Sequence, residues 1–467
     1  MIGDAGGFHR FGLGPRPGDL ESFPNIRDAI RAEADLDSIA TINGPGLLSV
    51  GDALMELAAD RERQRELQAQ QAAAARAEEA AGEGAARMAP ADDPPAMRQP
   101  PAQQRIYLTE FGARLRKYQT VDIGFVERLV AFWTNHFAVE AGSGLVERTL
   151  VGVFEREAVR PHALGRFRDM LGAATKHPAM LVYLDNAQSI GPNSIQGARA
   201  GTGLNENHAR ELLELHTLGV DAGYTQADVT EMARILTGWA FVGRQGQGDI
   251  GAFSFRAIAH EPGDRTVLGD VYPAGGVEQG EGVLDVLAEH PATARHIAFK
   301  LVRHFVADEP DPAFVDRLAG VFLDTGGDLK ALSLAMIDSD EAFVEATKIK
   351  TPQLFSWSAF RALRLSVEPQ QVVPGLQALG QPMWDPPSPQ GFSDESATWL
   401  APDAMTSRLD IAELLAQRAQ LDISPRFLFD MILGPDASYD SRTAVLGAES
   451  ETQALALLLM TPEFQRI

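Results

Sequence analysis

The chain has 467 residues, 45% of them hydrophobic, so it is long enough to bury a sizeable core. Its formal net charge of −23 argues against a nucleic acid or an anionic membrane as a partner, because both would repel it. The absence of cysteine excludes disulfides, thiolate nucleophiles and Cys-ligated metal sites.

The start of the chain has no basic segment followed by an apolar one, so the sequence predicts no usual signal peptide. No run of about 18 apolar residues occurs, and we therefore expect no membrane insertion. A chain with these features is expected to stay in the cytoplasm.

Composition and proline divide the N-terminal part of the chain. Glycine and proline are dense in residues 11–19, which predicts a tight turn. Residues 54–88 are rich in Ala, Glu, Gln and Arg without apolar periodicity, as in an exposed helix. Proline recurs from Pro90 to Pro101, and proline ends helices. We predict a low-complexity helix and a Pro-rich flexible insertion over residues 60–104.

The remainder is predicted to be mostly helical. One amphipathic helix is indicated by four residues at the spacing i, i+3, i+4, i+7, namely Val126, Leu129, Val130 and Trp133. Residues 242–272 interrupt the helices with glycine, aromatic residues and turns, which predicts a small irregular or β-containing excursion. Residues 280–345 return to helices, with Pro291 at a first helical position. We therefore predict a mainly α fold, a single large multi-helix domain over residues 1–467.

Two neighbouring helices are predicted near the middle of the chain. Asn205 is a favourable N-cap for the first helix, which we expect to continue until Gly219 ends it. Thr225 and Asp228 begin the second helix as a variant of the capping box.

One face of the first helix is a continuous polar arc. Its members are Glu206, Asn207, Arg210, Glu211 and Glu214. The spacing of four residues pairs Arg210 with Glu206 and with Glu214. The arc is consistent with a solvated helix face, a buried ion-pair network, or a ligand cleft. In a cleft, glutamates with separated pKa values can act as acid and base, and Arg210 can keep one of them ionised.

Smaller polar groups are candidates for contacts with a substrate, and each also has a structural explanation. Asn135 and His136 end an apolar helix, where a hydrogen-bonded core histidine is the commoner outcome. Asp185 and Asn186 follow another apolar run and are also typical helix or turn caps. His260 lies in a turn with two carboxylates. A metal site formed by His136, His260 and the glutamates is an alternative, because neutral imidazole and carboxylate suit several divalent ions. No His-x-x-x-His or Glu-x-x-His spacing occurs among these segments, so we assign no metal ligand and name no cofactor.

Aromatic residues near these groups suggest sugar binding. Trp239, with Trp133, Trp384 and Trp399, can stack on sugar rings if exposed. The alternative for each tryptophan is packing in the core.

Several segments together resemble the bacterial domain-of-unknown-function family 1800. The longest reads Asn-Glu-Asn-His-Ala-Arg-Glu-Leu-Leu-Glu-Leu-His-Thr-Leu-Gly-Val over residues 205–220. The resemblance continues in residues 11–15, 132–137, 184–186, 223–226, 236–239, 290–294 and 384–391. It therefore spans nearly the whole chain, and residues 60–104 look like a variable insertion.

The resemblance implies no established activity. Relatives often look exported, which makes a periplasmic or exported location the alternative to the cytoplasm. Their genes often lie beside those of a sulfatase-like family, which makes a sulfatase-like protein a candidate partner. His208 stands where relatives often have Tyr.

Two hypotheses for the function follow. The first is a hydrolase acting on a polar polymer or glycan, with Glu206, Glu211 and Glu214 as acid/base candidates and Arg210 fixing their charge. Asn135, His136 and Asn207 would orient the substrate. The second is a non-catalytic binding or assembly protein in which the same arc is a buried structural network. The sequence alone does not decide whether the chain is an enzyme.

Overall fold

The fold is mainly α, as predicted, with a small β-containing excursion. We describe a computed structural model over residues 1–80, 99–200, 203–220, 222–244, 246–435 and 437–467. Most of the predicted Pro-rich insertion lies outside these residues. The helix before it extends over Val50–Ala80. No helix of the described residues is long and apolar enough to cross a membrane.

The helices of the N-terminal half surround one buried helix, Phe125–His136. The four residues that predicted this helix are all buried, so the amphipathic prediction is confirmed. Nine of its twelve residues are buried, because other helices pack on nearly every side of it. The helices of this half are Asp4–Phe11, Asp19–Ser22, Ile26–Ala34, Val50–Ala80, Ala102–Thr120, Phe125–His136, Leu145–Phe154, Phe167–Lys176, Pro178–Tyr183 and Gly197–Ala200.

The C-terminal half begins with the predicted helix pair and continues through short helices that complete the same core. Its α-helices are Asn207–Glu211, Gln226–Leu236, Val277–Glu289, Pro291–Phe305, Pro312–Asp324, Leu329–Asp338, Pro352–Ala362, Pro369–Ala378, Ser396–Trp399, Pro402–Arg418, Pro425–Leu433, Tyr439–Leu446, Glu451–Met460 and Pro462–Gln465.

Two helices begin with the same His-Pro-Ala sequence and the same cap. Nδ1 of His177 and of His290 each accepts a hydrogen bond, at 3.1 Å, from the backbone N–H two residues later. Proline follows at the first helical position, where its missing N–H costs nothing. The predicted helix start at Pro291 is therefore confirmed.

The β-containing excursion consists of two antiparallel pairs. Trp239–Phe241 pairs with Phe253–Phe255, and Arg265–Val267 pairs with Asp270–Tyr272. The excursion begins three residues before the predicted boundary, because Trp239 is already in a strand.

A chain of buried ion pairs lies beside the central Phe125–His136 helix. Arg160 contacts Glu127 at 2.9 Å and Glu155 at 2.8 Å, and all three side chains are almost fully buried. Glu155 also accepts hydrogen bonds from Arg114 at 2.6 Å and from the indole N–H of Trp384 at 2.8 Å. The two arginines and two glutamates balance in charge, so this network is a structural element of the core.

Candidate functional site

The helix that carries the polar arc has two geometries. It is α-helical over Asn207–Glu211 and widens into a π-helical turn over Leu212–His216. Glu206 is the N-cap position, while Oδ1 of Asn205 accepts a hydrogen bond from Asn207 N at 2.8 Å. The predicted uninterrupted α-helix is therefore wrong in its second half. Single π-helical turns occur frequently at functional sites.

Glu206 fastens this helix to the next one. Its carboxylate accepts hydrogen bonds from Thr230 Oγ1 and Gln226 Nε2, both at 2.8 Å, and from Arg210 at 3.3 Å. The bond from Thr230 and the other donors lower the pKa of Glu206. Thr225 and Asp228 form the predicted capping box at the start of the second helix. The hydrogen-bonding capacity of Glu206 is largely used in holding two helices together.

Arg210 lies between two glutamates. Its Nη1 atom is 3.6 Å from Glu214 Oε1, on the side opposite to Glu206. The side chains of Arg210 and Glu214 are 37% and 26% exposed. The arc is therefore a partly exposed surface rather than the buried network considered as the alternative.

Glu211 differs from Glu206 and Glu214 because its side chain makes no hydrogen bond or ion pair with the described residues. Its side chain is half-buried. Burial raises the pKa of Glu211 and the adjacent Glu214 raises it further, while Arg210 opposes the shift. Burial also raises the pKa of Tyr183, with added contributions from Glu140 and Glu211. Glu211 therefore lies in an acidic environment that favours its protonated form.

An open polar groove continues from the start of the helix. It is lined by Asp185, Gln188, Gly203, Leu204, Asn205, Glu206 and Asn207. Asp185 has a left-handed backbone conformation, with φ of 57°, at the start of the short turn Asn186–Gln188. Asn207 is exposed and lies one helical turn before Glu211, so the groove and the half-buried carboxyl are adjacent.

Three of the predicted substrate-contacting residues lie in the core instead. Asn186 donates hydrogen bonds to the carbonyl oxygens of Leu236 and Trp239, at 3.1 and 3.2 Å. His260 contacts the carbonyl oxygen of Thr237 at 3.0 Å through Nδ1. Trp239 has no exposed surface and packs against Phe253. Their burial assigns them to packing, because none of them borders the open groove.

Stacking of tryptophan on a sugar at the surface is not possible in this structure. The four tryptophans considered for it are all at most 6% exposed: Trp133, Trp239, Trp384 and Trp399. The explanation by core packing therefore replaces the expectation of sugar stacking.

Asn135 and His136 lie deeper than the groove. Asn135 makes two hydrogen bonds to the backbone of Phe392, at 2.8 and 2.9 Å. His136 is buried, and its Nδ1 atom is 3.1 Å from Lys300 Nζ. Burial, with Lys300 close by, lowers the pKa of His136 well below its ordinary value, so the imidazole is neutral. These two residues do not meet the polar arc in one pocket.

The sequence did not predict the internal cavity that Asn135 borders. The cavity is partly open to solvent and offers about 80 Å³ to the centres of water-sized molecules, and its wall combines buried charges with aromatic rings. Among the residues that line it are Arg128, His304, Lys348, Trp384 and Asp394. These residues are up to 266 positions apart, from Arg128 to Asp394. No local spacing connects them, so only the fold brings them together.

Within the described ranges, no group of three or more His, Asp or Glu side chains is arranged to hold a metal ion. The family described as "Protein of unknown function (DUF1800)" matches residues 7–466. The chain belongs to this family. Searches of curated proteins and of solved structures found no significant match.

In this DUF1800 chain, three of the segments that carry the family resemblance border the internal cavity. Leu13 comes from residues 11–15, Asn135 from residues 132–137, and Trp384 from residues 384–391. A fourth, residues 205–220, forms the helix of the polar arc. Segments of the resemblance therefore border two places, an open groove and a partly open internal cavity.

Proposed function

We propose that this DUF1800 protein is a hydrolase acting on a polar polymer such as a glycan, with Glu211 as general acid and Glu214 as general base. The observation that carries the proposal is the contrast within one helix. Glu206 accepts several hydrogen bonds, whereas Glu211 is half-buried beside Glu214 and makes none among the described residues. A carboxyl group left without partners is available to a substrate.

The environment of Glu211 suits an acid. Burial and the neighbouring carboxylate raise its pKa, so it keeps its proton to a higher pH than an ordinary glutamate. The proton would pass to the oxygen of the leaving group as the bond to that oxygen breaks. An acid whose pKa lies closer to the working pH is the more efficient catalyst.

Glu214 suits the complementary role. Arg210 lies 3.6 Å away and is the ion-pair partner of its carboxylate. The carboxylate would take a proton from a water molecule while the water oxygen forms the new bond to the substrate. Together the two steps consume one water and leave the two carboxyl groups with exchanged protonation, which solvent then restores.

The open groove supports a polymeric substrate. An extended polymer chain can lie along an open polar groove, whereas an enclosed pocket would exclude it. The exposed amide of Asn207 and the carboxylate of Asp185 are suited to hydrogen bonds with hydroxyl groups. The proposed site thus consists of Asp185, Asn207, Arg210, Glu211 and Glu214.

The test uses three Glu→Gln variants, two on the helix of the polar arc and one at an exposed position of another helix. Purified protein is incubated with a panel of neutral and acidic polysaccharides, and new reducing ends are quantified. We expect Glu211→Gln and Glu214→Gln to lower the rate by about 10²–10⁴-fold, the usual contribution of an acid or base. Glu413→Gln, at an exposed helical position outside the groove, is the matched control and should retain most of the activity.

Two results would contradict the proposal. One is hydrolysis that proceeds equally in wild type and Glu211→Gln. The other is a loss of about 3–5 kcal/mol of folding stability in Glu211→Gln, which is typical of breaking a buried pair and would support the structural alternative.

A further inference from the structure

Buried cations line part of the internal cavity, although the whole protein is strongly acidic. Arg128 and Lys348 line it, and both side chains are nearly inaccessible to solvent. Burial lowers the pKa of Lys350, two residues after Lys348, and the charges of Arg128 and Arg408 lower it further. Buried cations that lie this close together require anionic or carbonyl oxygens to compensate their charge.

Arg128 makes no ion pair in the described structure. Its Nη1 atom donates hydrogen bonds to the carbonyl oxygens of Arg10 and Gly12, at 2.9 and 3.2 Å. Its Nη2 atom is 3.4 Å from Nε2 of His304, which is a weak contact. The guanidinium is thus held in place by neutral groups and keeps its charge uncompensated by any directly contacting carboxylate.

Asp394 is the one Asp or Glu side chain among the residues that line the cavity, and it is already engaged. Oδ1 of Asp394 is 2.7 Å from Nδ1 of His304, so that histidine separates Asp394 from Arg128. The backbone carbonyl of Asp394 also accepts a hydrogen bond from Lys348. Lys348 in turn pairs with Asp308 at 2.6 Å. Arg128 is therefore the cavity-lining cation that lacks a carboxylate of its own.

Arg114, the remaining arginine in the wall, belongs to the balanced network described above. Its Nη1 atom contacts Glu155 at 2.6 Å, and its Nε atom donates to the Tyr118 hydroxyl at 2.6 Å. This difference places the uncompensated charge at the Arg128 side of the cavity. The other side carries the rings of Trp357 and Trp384 together with Met383.

We propose that the cavity binds a small organic anion, with its anionic oxygens at Arg128 and its apolar part against Trp384 and Met383. A cation at one end of an apolar enclosure recognises this combination of charge and hydrophobic body. The site is separate from the proposed hydrolytic helix face, so it is a binding or regulatory site and not a part of the acid/base pair.

The test measures thermal unfolding of the full chain at constant ionic strength with benzoate, with inorganic phosphate, or with neutral benzyl alcohol. We expect saturating benzoate to raise Tm by about 2–4 °C, and the other two probes to leave it unchanged. The cavity-filling variant Ala131→Leu and the charge-removing variant Arg128→Met should both lose the benzoate response. The surface variant Arg31→Met should keep it.

Ala131→Leu keeps the test decisive if Arg128→Met does not fold, because Ala131 lines the cavity and carries no polar group. A rise in Tm with phosphate alone would contradict the proposal that the ligand has an apolar body. A rise with benzyl alcohol alone would contradict the proposal that the ligand is an anion. The absence of any benzoate response, or an equal response in wild type and Ala131→Leu, would overturn the site itself.

Discussion

Two glutamates beside π-helical turns have opposite environments. Glu155 is the first residue of the π-helical turn Glu155–Val159, and Glu211 immediately precedes the turn Leu212–His216. Burial alone would raise the pKa of Glu155, but Arg114, Arg160 and the Trp384 indole lower it below its ordinary value. Glu211 has no such donors, and its pKa is raised.

The comparison shows that the partners of a carboxyl group, and not its burial alone, set the direction of its pKa shift. Glu155 is the more deeply buried of the two and is nevertheless the more stably ionised, because two guanidinium groups and an indole N–H compensate it. The half-buried Glu211 has lost part of its hydration and has received no protein donor in exchange.

Disruption of the buried ion-pair network should change the free energy of unfolding more than any other substitution proposed below. Glu155→Gln should lower the free energy of unfolding by about 3–5 kcal/mol, since Arg114 and Arg160 would remain buried with too little negative charge. Urea denaturation monitored by tryptophan fluorescence measures the change. A cost below about 1 kcal/mol would remove the contrast between the two glutamates.

An intermediate loss of folding stability is expected at Glu206, a surface glutamate that accepts several hydrogen bonds. Thr230→Val removes the 2.8 Å hydrogen bond to Glu206, which should cost about 1 kcal/mol and let the pKa of Glu206 rise. Denaturation and a carboxyl-carbon NMR titration report the two changes. Thr443→Val, at an exposed helical position, is the matched control. Equal effects of the two valine substitutions would show that Glu206 does not depend on Thr230.

The smallest change is a pH-dependent gain in folding stability when Glu211 at the candidate site is replaced. A carboxyl group with a raised pKa in the folded state stabilises the fold below its unfolded pKa, and this contribution is lost as pH rises through the folded pKa. Glu211→Gln should therefore be more stable than wild type at pH 7, by at most about 1 kcal/mol, and should lose this advantage near pH 4. Thermal unfolding from pH 4 to pH 8 measures the difference. A gain that is constant over this range would contradict the raised pKa.

Local features of the fold could be predicted from the sequence because local physics determines them. The apolar spacing of Val126 to Trp133, the capping box of Thr225 with Asp228 and the proline start at Pro291 each depend on a few neighbouring residues. The polar arc was predictable for the same reason, since residues three or four apart share a helix face.

Features that depend on distant residues were not predictable in this way. The roles of Glu155 and Glu211 differ because partners for Glu155 come from Arg114 and Trp384, 41 residues before it and 229 after it. The internal cavity is likewise assembled from separate segments. Trp239 was expected at a binding surface and is in the core, because no composition signal distinguishes a stacking indole from a packed one.

The π-helical turn makes the segment after Glu211 sensitive to length. Each residue of an α-helix advances the chain by about 100° and 1.5 Å, so a wide turn holds one residue more than the same rise of α-helix needs. Deleting one residue within Leu212–His216 would allow the segment to tighten into a regular α-helix without moving its ends far. Insertions and deletions in this segment of related sequences, more than substitutions, would therefore indicate whether the wide turn has been preserved in evolution.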